Sequence, residues 1–599
     1  MSEKDGKLPV SGEGGKPAPG SPTNAPGSMG VKPAAPPPPA GKGPVPPKNP
    51  GFVTCTIDGK EVVVKPGTNM IEAAHRVGSE IPYYCYHHRL SIAANCRMCL
   101  VELSNSPRLL PACQTALTEG LAVFTNTPAV EDSQRAVLEF LLLNHPVDCA
   151  ICDQAGECKL QDYYVKFDHV PSRLDAPKVL KNKRKVLGPL VVLDQERCIL
   201  CTRCVRFMNE VPKEPQLGVF GRGSHEYIDV FPGAELDSNY AGNTVDICPV
   251  GALLSRDFRF RARAWFLSTA PTVCTGCSRG CNAFADFFGQ ETYRYRPREN
   301  EQVNKSWMCD QGRVSYKYVN RDRQLAAQVG RGEEAVEATA REAVKLAARK
   351  LKAVARTPEL AVLASPLASN EDLLACLAFA QDALGAAVVY VGGRPDGPSD
   401  HFLMTSDKNP NRTGLTWIVA ALGLSLKDCG QLVAAIEEGK VKALYAIGTE
   451  VPLAPAEKMA GALRRIELIV AQGINAGPVA AAADVLLPAS THLEDEGSFV
   501  NLDGVIQRFR RAYPPRAHSL PHWSWALEMA RELGLTYPYR SSREVFRELA
   551  PRVRELMSFD WDQAAPPAQS APGLSPLPAA ADGRPAGYRE WGVPRVRGI

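Results

Sequence analysis

The pattern of apolar and polar positions changes character along the chain. From Phe52, the strings VTCTIDG and KEVVVKPG alternate about Asp58-Gly59, which predicts a β-hairpin. MIEAAHRVG carries helical spacing, and the loop-rich stretch from Cys85 to Cys113 holds one short strand pattern, MCLVEL. Thr127, Pro128, Glu131 and Asp132 open a helix that Val137, Leu138, Leu141 and Leu142 carry to His145-Pro146. Residues 190–260 read as cysteine-bearing loops with brief strands and turns.

From about residue 333 helices and strands alternate. Helices are predicted over 333–355, 370–384, 431–438 and 455–464, and strands over 359–364, 386–391, 441–447 and 466–471. Such alternation implies an α/β unit with a parallel sheet. Neither GxGxxG nor GxxxxGK[ST] occurs, so no NAD site is expected there. The longest apolar stretch, Gly414 to Leu426, is too short to span a bilayer.

Composition changes the picture at the ends. Fourteen prolines and nine glycines fall in the first fifty residues, so that segment is expected to be disordered. The last forty are rich in Pro and Ala and read as a tail, with Tyr588, Trp591 and Val593 as candidate anchors. The net charge of +4 gives no basic excess for nucleic acid or an anionic membrane surface. The basic run Lys178 to Lys185 reads as a solvated loop and is assigned no role. The opening MSEKDGKLPV has no apolar signal core and no transit-peptide pattern, so a cytoplasmic chain with reduced thiols is expected.

Of the eighteen cysteines, sixteen lie between Cys55 and Cys309, and fifteen of these with one histidine fall into four constellations. Cys85, Cys96, Cys99 and Cys113 put one CxxC between two outlying cysteines, a layout related to that of plant-type [2Fe-2S] ferredoxins. A Rieske centre is excluded because Cys99 stands where its second histidine would be. His145, Cys149, Cys152 and Cys158 supply a one-imidazole, three-thiolate set at a helix end, and a neutral imidazole there would raise a cluster's potential. Cys198, Cys201 and Cys204 form CxxCxxC, completed by a distant Cys248-Pro249, as in bacterial ferredoxin loops whose tight spacing turns backbone N–H groups toward sulfur. Cys274, Cys277, Cys281 and Cys309 also suit [4Fe-4S], with zinc as the alternative for any four-cysteine set. Cys55, Cys376 and Cys429 are left over and read as buried apolar residues.

CYHHRLSIAANCRMCLVEL, NHPVDCAICDQAGECKLQD and RCILCTRCVRF with DICPVGAL, in this order and spacing, resemble the large iron-sulfur subunit, the 75 kDa type, of NADH:quinone oxidoreductase, respiratory complex I. The resemblance spans residues 85–253. Members often carry Gly where Ala94 stands, and a left-handed backbone would strain Ala there. The fourth constellation is similar to an additional cluster of some bacterial members and to the N-terminal cluster of molybdopterin oxidoreductases. Residues 483–508, ADVLLPASTHLEDEGSFVNLDGVIQR, resemble that enzyme family too.

The resemblance implies a multidomain α+β and α/β chain, with ferredoxin-like iron-sulfur modules followed by a shortened molybdopterin-oxidoreductase-like α/β domain. The expected divisions are 1–50 disordered, 51–126 [2Fe-2S] ferredoxin-like, 127–188 helix and loop with the one-histidine, three-cysteine site, 189–264 bacterial-ferredoxin-like, 265–325 molybdopterin-type [4Fe-4S], 326–560 α/β, and 561–599 tail. It implies one [2Fe-2S] cluster on the first constellation, three [4Fe-4S] clusters on the others, and no molybdopterin. No residue performs bond chemistry: the chain relays electrons from a flavin-bearing, NADH-oxidising subunit toward quinone among the other peripheral-arm subunits. It would meet the membrane only through partners, on the cytoplasmic side of a bacterial inner membrane. The alternatives are the relay subunit of an NAD-reducing hydrogenase, a formate dehydrogenase, and a zinc-organised interaction protein.

Overall fold

The structure, a computed structural model, describes residues 51–168, 172–451 and 456–562. The expected disordered segment 1–50 and the anchors Tyr588, Trp591 and Val593 lie outside the described residues. Trp561, the first residue of the expected tail, is buried against Phe546 with Arg508 stacked on its ring, so packed chain continues to Asp562.

The opening hairpin forms as its alternation requires. Val53–Ile57 pairs antiparallel with Lys60–Val64, and Asp58 and Gly59 both take positive φ, 49° and 78°, as a type I′ turn demands. These strands belong to a five-stranded sheet in the order Lys60–Val64, Val53–Ile57, Ala122–Phe124, Leu100–Leu103, Ser106–Pro111. The helix Met70–Arg76, capped by Asn69, packs its apolar side on this sheet beside Cys55, which is buried. The helix Pro128–Asn144 starts at Thr127, whose side chain accepts from Val130 N, and its C-cap is His145. Two helices absent from the sequence reading frame the third constellation: Arg203–Glu210 continues the CxxCxxC run, and Asn243–Ile247 precedes Cys248.

The C-terminal half is built on one eight-stranded sheet. Six strands run parallel in the order Ser425–Lys427, Val388–Val391, Leu360–Ala364, Ala443–Ile447, Leu468–Gly473, Val485–Pro488, and Ala327–Val329 and Val336–Ala338 add antiparallel at the edge. Leu360–Ala364, Ala443–Ile447 and Leu468–Gly473 are buried throughout, because helices cover both faces of a parallel sheet. The helix expected over 333–355 begins only at Ala340, where Thr339 and Glu342 form a capping box, and the preceding residues make the edge strand instead. The apolar stretch from Gly414 breaks at Gly423, φ 67°, into the helix Arg412–Ala421 and the strand Ser425–Lys427. Among the described residues no helix is long and apolar enough to cross a membrane.

Candidate iron-sulfur sites

At the first constellation the Cys85 sulfur is hydrogen-bonded by the thiols of Cys96 and Cys113, and the Cys99 sulfur by that of Cys113, so all four side chains converge. Cys85 N also points at Cys96 Sγ, 3.5 Å away. Ala94 and Arg97, inside the loop, take φ of 50° and 56°. The strain expected at Ala94 is therefore present, at a cost of about 1–2 kcal/mol for an L-residue.

At the second constellation His145 ends its helix with Nδ1 buried and without a hydrogen-bond partner. Burial lowers its pKa to about 4, which keeps the imidazole in the neutral form a metal requires. Cys152 and Cys158 are buried, and burial pushes the Cys158 thiol up to about 12. The basic run assigned no role holds this loop. Lys178 Nζ donates to the carbonyls of Leu142 and His145 at 3.0 and 2.6 Å, capping the helix, and Lys183 reaches Asp148 at 3.0 Å. Arg197, beside Cys198, grips Asp148 through Nε at 3.0 Å and Nη2 at 2.8 Å. Nothing in the one-dimensional pattern distinguishes these lysines from a solvated loop, since their acceptors are mainly carbonyls and carboxylates remote in sequence.

The third constellation encloses a small cavity walled by Cys198, Cys201, Cys204 and Cys248 with Leu193, Ile228 and Leu253. Leu200 and Thr202 take left-handed backbone, φ 52° and 58°, which turns successive N–H groups inward. Leu200 N reaches Cys198 Sγ at 3.4 Å, and the amides of Arg203, Val205 and Leu253 point at the sulfurs of Cys201, Cys204 and Cys248. A small cavity lined by four cysteines suits a cluster better than packed thiols do.

In the fourth constellation all four cysteines are buried, and Cys274 N donates to Cys281 O at 2.8 Å. Gly312 lies between two sulfurs: a Cβ there would stand 2.9 Å from Cys274 Sγ and 3.3 Å from Cys309 Sγ. Burial pushes Cys274 up to about 11 and Cys309 up to about 12, so by themselves these side chains stay thiols, and thiolates here would need a nearby cation. Among the described residues no three such groups close on one point as a single-ion cage. That observation concerns a mononuclear site, whereas a cluster's ligands bind different irons.

The sites are stitched together. Lys159 N, next to Cys158, donates to Pro249 O, next to Cys248, at 3.1 Å. A Cβ on Gly251 would overlap Cys152 Sγ, so the Cys248-Pro249 loop presses directly on the second constellation. Arg206 Nη2 bridges Cys85 O at 2.6 Å and Cys201 O at 3.3 Å, joining the first and third.

Family models match this arrangement segment by segment. They are the 2Fe-2S iron-sulfur cluster binding domain over 52–128, the NADH-ubiquinone oxidoreductase-G iron-sulfur binding region over 134–173, and the ferredoxin-like domain of NADH-quinone oxidoreductase subunit 3 over 188–254. The Molybdopterin oxidoreductase Fe4S4 domain matches 267–321, and Molybdopterin oxidoreductase matches 414–532. The NADH-quinone oxidoreductase G subunit of Rickettsia felis is 40% identical over 320 residues, 53% of this chain and 47% of that one. The aligned region is homologous to that G subunit. The 75 kDa subunit of the NADH-ubiquinone oxidoreductase of Reclinomonas americana is 44% identical over 272 residues, 45% of this chain and 39% of that one. The chain spans less than half the length of these relatives. Among solved structures, an NAD+-reducing [NiFe]-hydrogenase chain is similar at TM-score 0.33 and 29% identity, over 35% of this chain and 90% of that one.

The two later cysteines stand apart from any ligand set. Cys376, on the helix Asn370–Asp382, and Cys429 are buried in the apolar cores on the two sides of the large sheet.

Proposed function

We propose that this chain is the electron-relay subunit of an NADH:quinone oxidoreductase, complex I, carrying electrons from an NADH-oxidising flavin subunit toward quinone. Cys85, Cys96, Cys99 and Cys113 would hold [2Fe-2S]. His145, Cys149, Cys152 and Cys158 would hold one [4Fe-4S], Cys198, Cys201, Cys204 and Cys248 a second, and Cys274, Cys277, Cys281 and Cys309 a third. The observation that carries this reading is the cavity walled by all four cysteines of the third constellation, with the loop of Cys248 pressed on Cys152.

Bound clusters supply one-electron transfer. The chain's residues do the rest: thiolates fix each cluster, apolar neighbours exclude water, and backbone N–H groups aimed at sulfur offset negative charge. Close stitching between constellations serves the relay because electron transfer needs short gaps. In the α/β half, Cys376 and Cys429 are enclosed in apolar cores, and we assign no molybdopterin to it. We assign the chain to the peripheral arm, cytoplasmic and reaching the bacterial inner membrane only through partner subunits.

Iron, sulfide, zinc and molybdenum content of the anaerobically purified chain tests this reading. Four clusters predict about fourteen iron per chain with matching sulfide and neither zinc nor molybdenum. Zinc without sulfide would remove the relay altogether.

A further inference from the structure

Arg203 stands between two constellations without an ion-pair partner among the described residues. It is 5% exposed, its Nη1 donates to Ile247 O at 3.1 Å, and its Nη2 donates to Tyr86 O. Ile247 immediately precedes Cys248, and Tyr86 immediately follows Cys85. The remaining N–H, on Nε, is buried and has no partner. Arg203 is also among the residues that line the small cavity enclosed by the four cysteines of the third constellation. Among the described residues no Asp or Glu forms an ion pair with it or with Arg206. Arg203 also lines a larger cavity of about 280 Å³ that Lys159, Arg298, Asp246 and Glu157 border, none of which forms an ion pair with it. Lys159 Nζ sits 4.2 Å from the Tyr83 ring centroid and the Arg203 guanidinium 5.8 Å from it, so two cations share one aromatic ring.

A buried guanidinium hydrogen-bonded only to neutral carbonyls is costly unless negative charge lies close by. A cluster on four thiolates is a net anion, and it gains one more negative charge when it takes an electron. The orphaned Nε, buried next to the ligating Cys204 in sequence, keeps its donor capacity and its share of the positive charge in a water-poor surrounding.

We propose that Arg203 sets the reduction potential of the cluster held by Cys198, Cys201, Cys204 and Cys248, its unneutralised guanidinium stabilising the reduced form. This rests on the reading above that the constellation holds a cluster. The step concerned is the gain of one electron from the preceding donor and its loss to the next acceptor, with no bond made or broken and no proton moved. Arg203 is a positioning and charge-supplying residue.

The test is an EPR-monitored redox titration of the isolated, cluster-loaded chain as wild type, Arg203→Gln and Arg203→Lys, with Cys201→Ala identifying the signal of the third constellation. Arg203→Gln is expected to lower the one-electron reduction equilibrium constant of that signal about tenfold, which is about 59 mV. Arg203→Lys should stay within about threefold of wild type, and the signal of the fourth constellation should not move in either variant. An unmoved midpoint in Arg203→Gln with the signal retained overturns the proposal, as does a lysine variant shifted as far as the glutamine one. Loss of the cluster from both variants would make Arg203 a structural tie and overturn it equally. If Cys201→Ala removes no cubane signal from the chain, the relay reading itself falls, an outcome distinct from all of these.

Discussion

The two halves of the molecule are stabilised in different ways. In the α/β half, strands such as Leu360–Ala364 and Ala443–Ile447 are continuously apolar and buried between helices, with one apolar core on each side of the sheet. In the cysteine-bearing half the sheets are small, sulfur atoms sit inside the packing, and separate loops are tied by Arg197, Arg203, Arg206 and Lys178. Ten of the twelve non-glycine residues with positive φ among the described residues lie before residue 326, and Ala94, Arg97, Val147, Leu200 and Thr202 flank candidate ligands. Backbone strain concentrated beside one group of residues persists only when something else over-determines it. One half is thus a conventional folded core, and the other is shaped for a group that its own side chains do not replace.

The largest expected effect follows directly. Stripping iron from the loaded chain with a chelator under reducing conditions should make residues 52–325 protease-sensitive while the α/β half stays protected, because cluster binding energy is folding energy only in the first half. Equal loss of protection in both halves would break the comparison.

Next comes Gly251→Ala, which drives a methyl group into Cys152 Sγ, too close for either backbone or sulfur to accept unmoved. The second cluster should be lost or unstable, seen as about four fewer iron per chain with the fourth constellation's signal intact. Phe379→Ala, at a position with 0% exposure in the α/β core, should cost about 3–5 kcal/mol in the denaturant transition of that half and leave every cluster signal unchanged.

A pH effect separates the halves further. Glu371 is buried and accepts from Ser498 N and Oγ at 2.8 and 2.7 Å, and burial raises its pKa to about 8. A carboxyl whose folded pKa lies above its unfolded one holds its proton longer in the folded state. Its contribution is therefore complete below about pH 4.5 and is lost as pH rises to about 8. The α/β transition should weaken over that window by a few kcal/mol at most, and Glu371→Gln should flatten the dependence.

How much of this is legible in the sequence differs between the halves for the same reason. Alternation and helical spacing place four of the eight strands of the large sheet to within about two residues, because burial there follows local periodicity, and miss the short or edge strands and Val485–Pro488. They fail where a cap decides the boundary, as at Thr339, and where one apolar run is divided by Gly423. In the other half the ligand spacing names the candidate cysteines directly, but the ties that bring the constellations together are invisible. Arg206 to Cys85 O spans 121 residues and Lys178 to His145 O spans 33, and no local pattern encodes a side chain meeting a distant carbonyl. Along the chain Arg203 is merely one residue of the CxxCxxC run, although a cation between ligating cysteines is itself a hint.

The smallest expected effect bears on the strain itself. Ala94 is buried at φ 50°, so Ala94→Gly would relieve about 1–2 kcal/mol of left-handed strain. Against that, it forfeits about 0.8 kcal/mol for a buried methyl and about 0.4–1 kcal/mol of unfolded-chain entropy. The net should fall within about 1 kcal/mol, so chelator-driven loss of the [2Fe-2S] signal should change by no more than about fivefold. A much larger slowing would mean that the loop's own backbone, rather than the metal it holds, limits the first site. The contrast with Gly251→Ala would then lie in how each loop stores strain, because a left-handed alanine can be relieved in place whereas a methyl pressed on a ligating sulfur cannot.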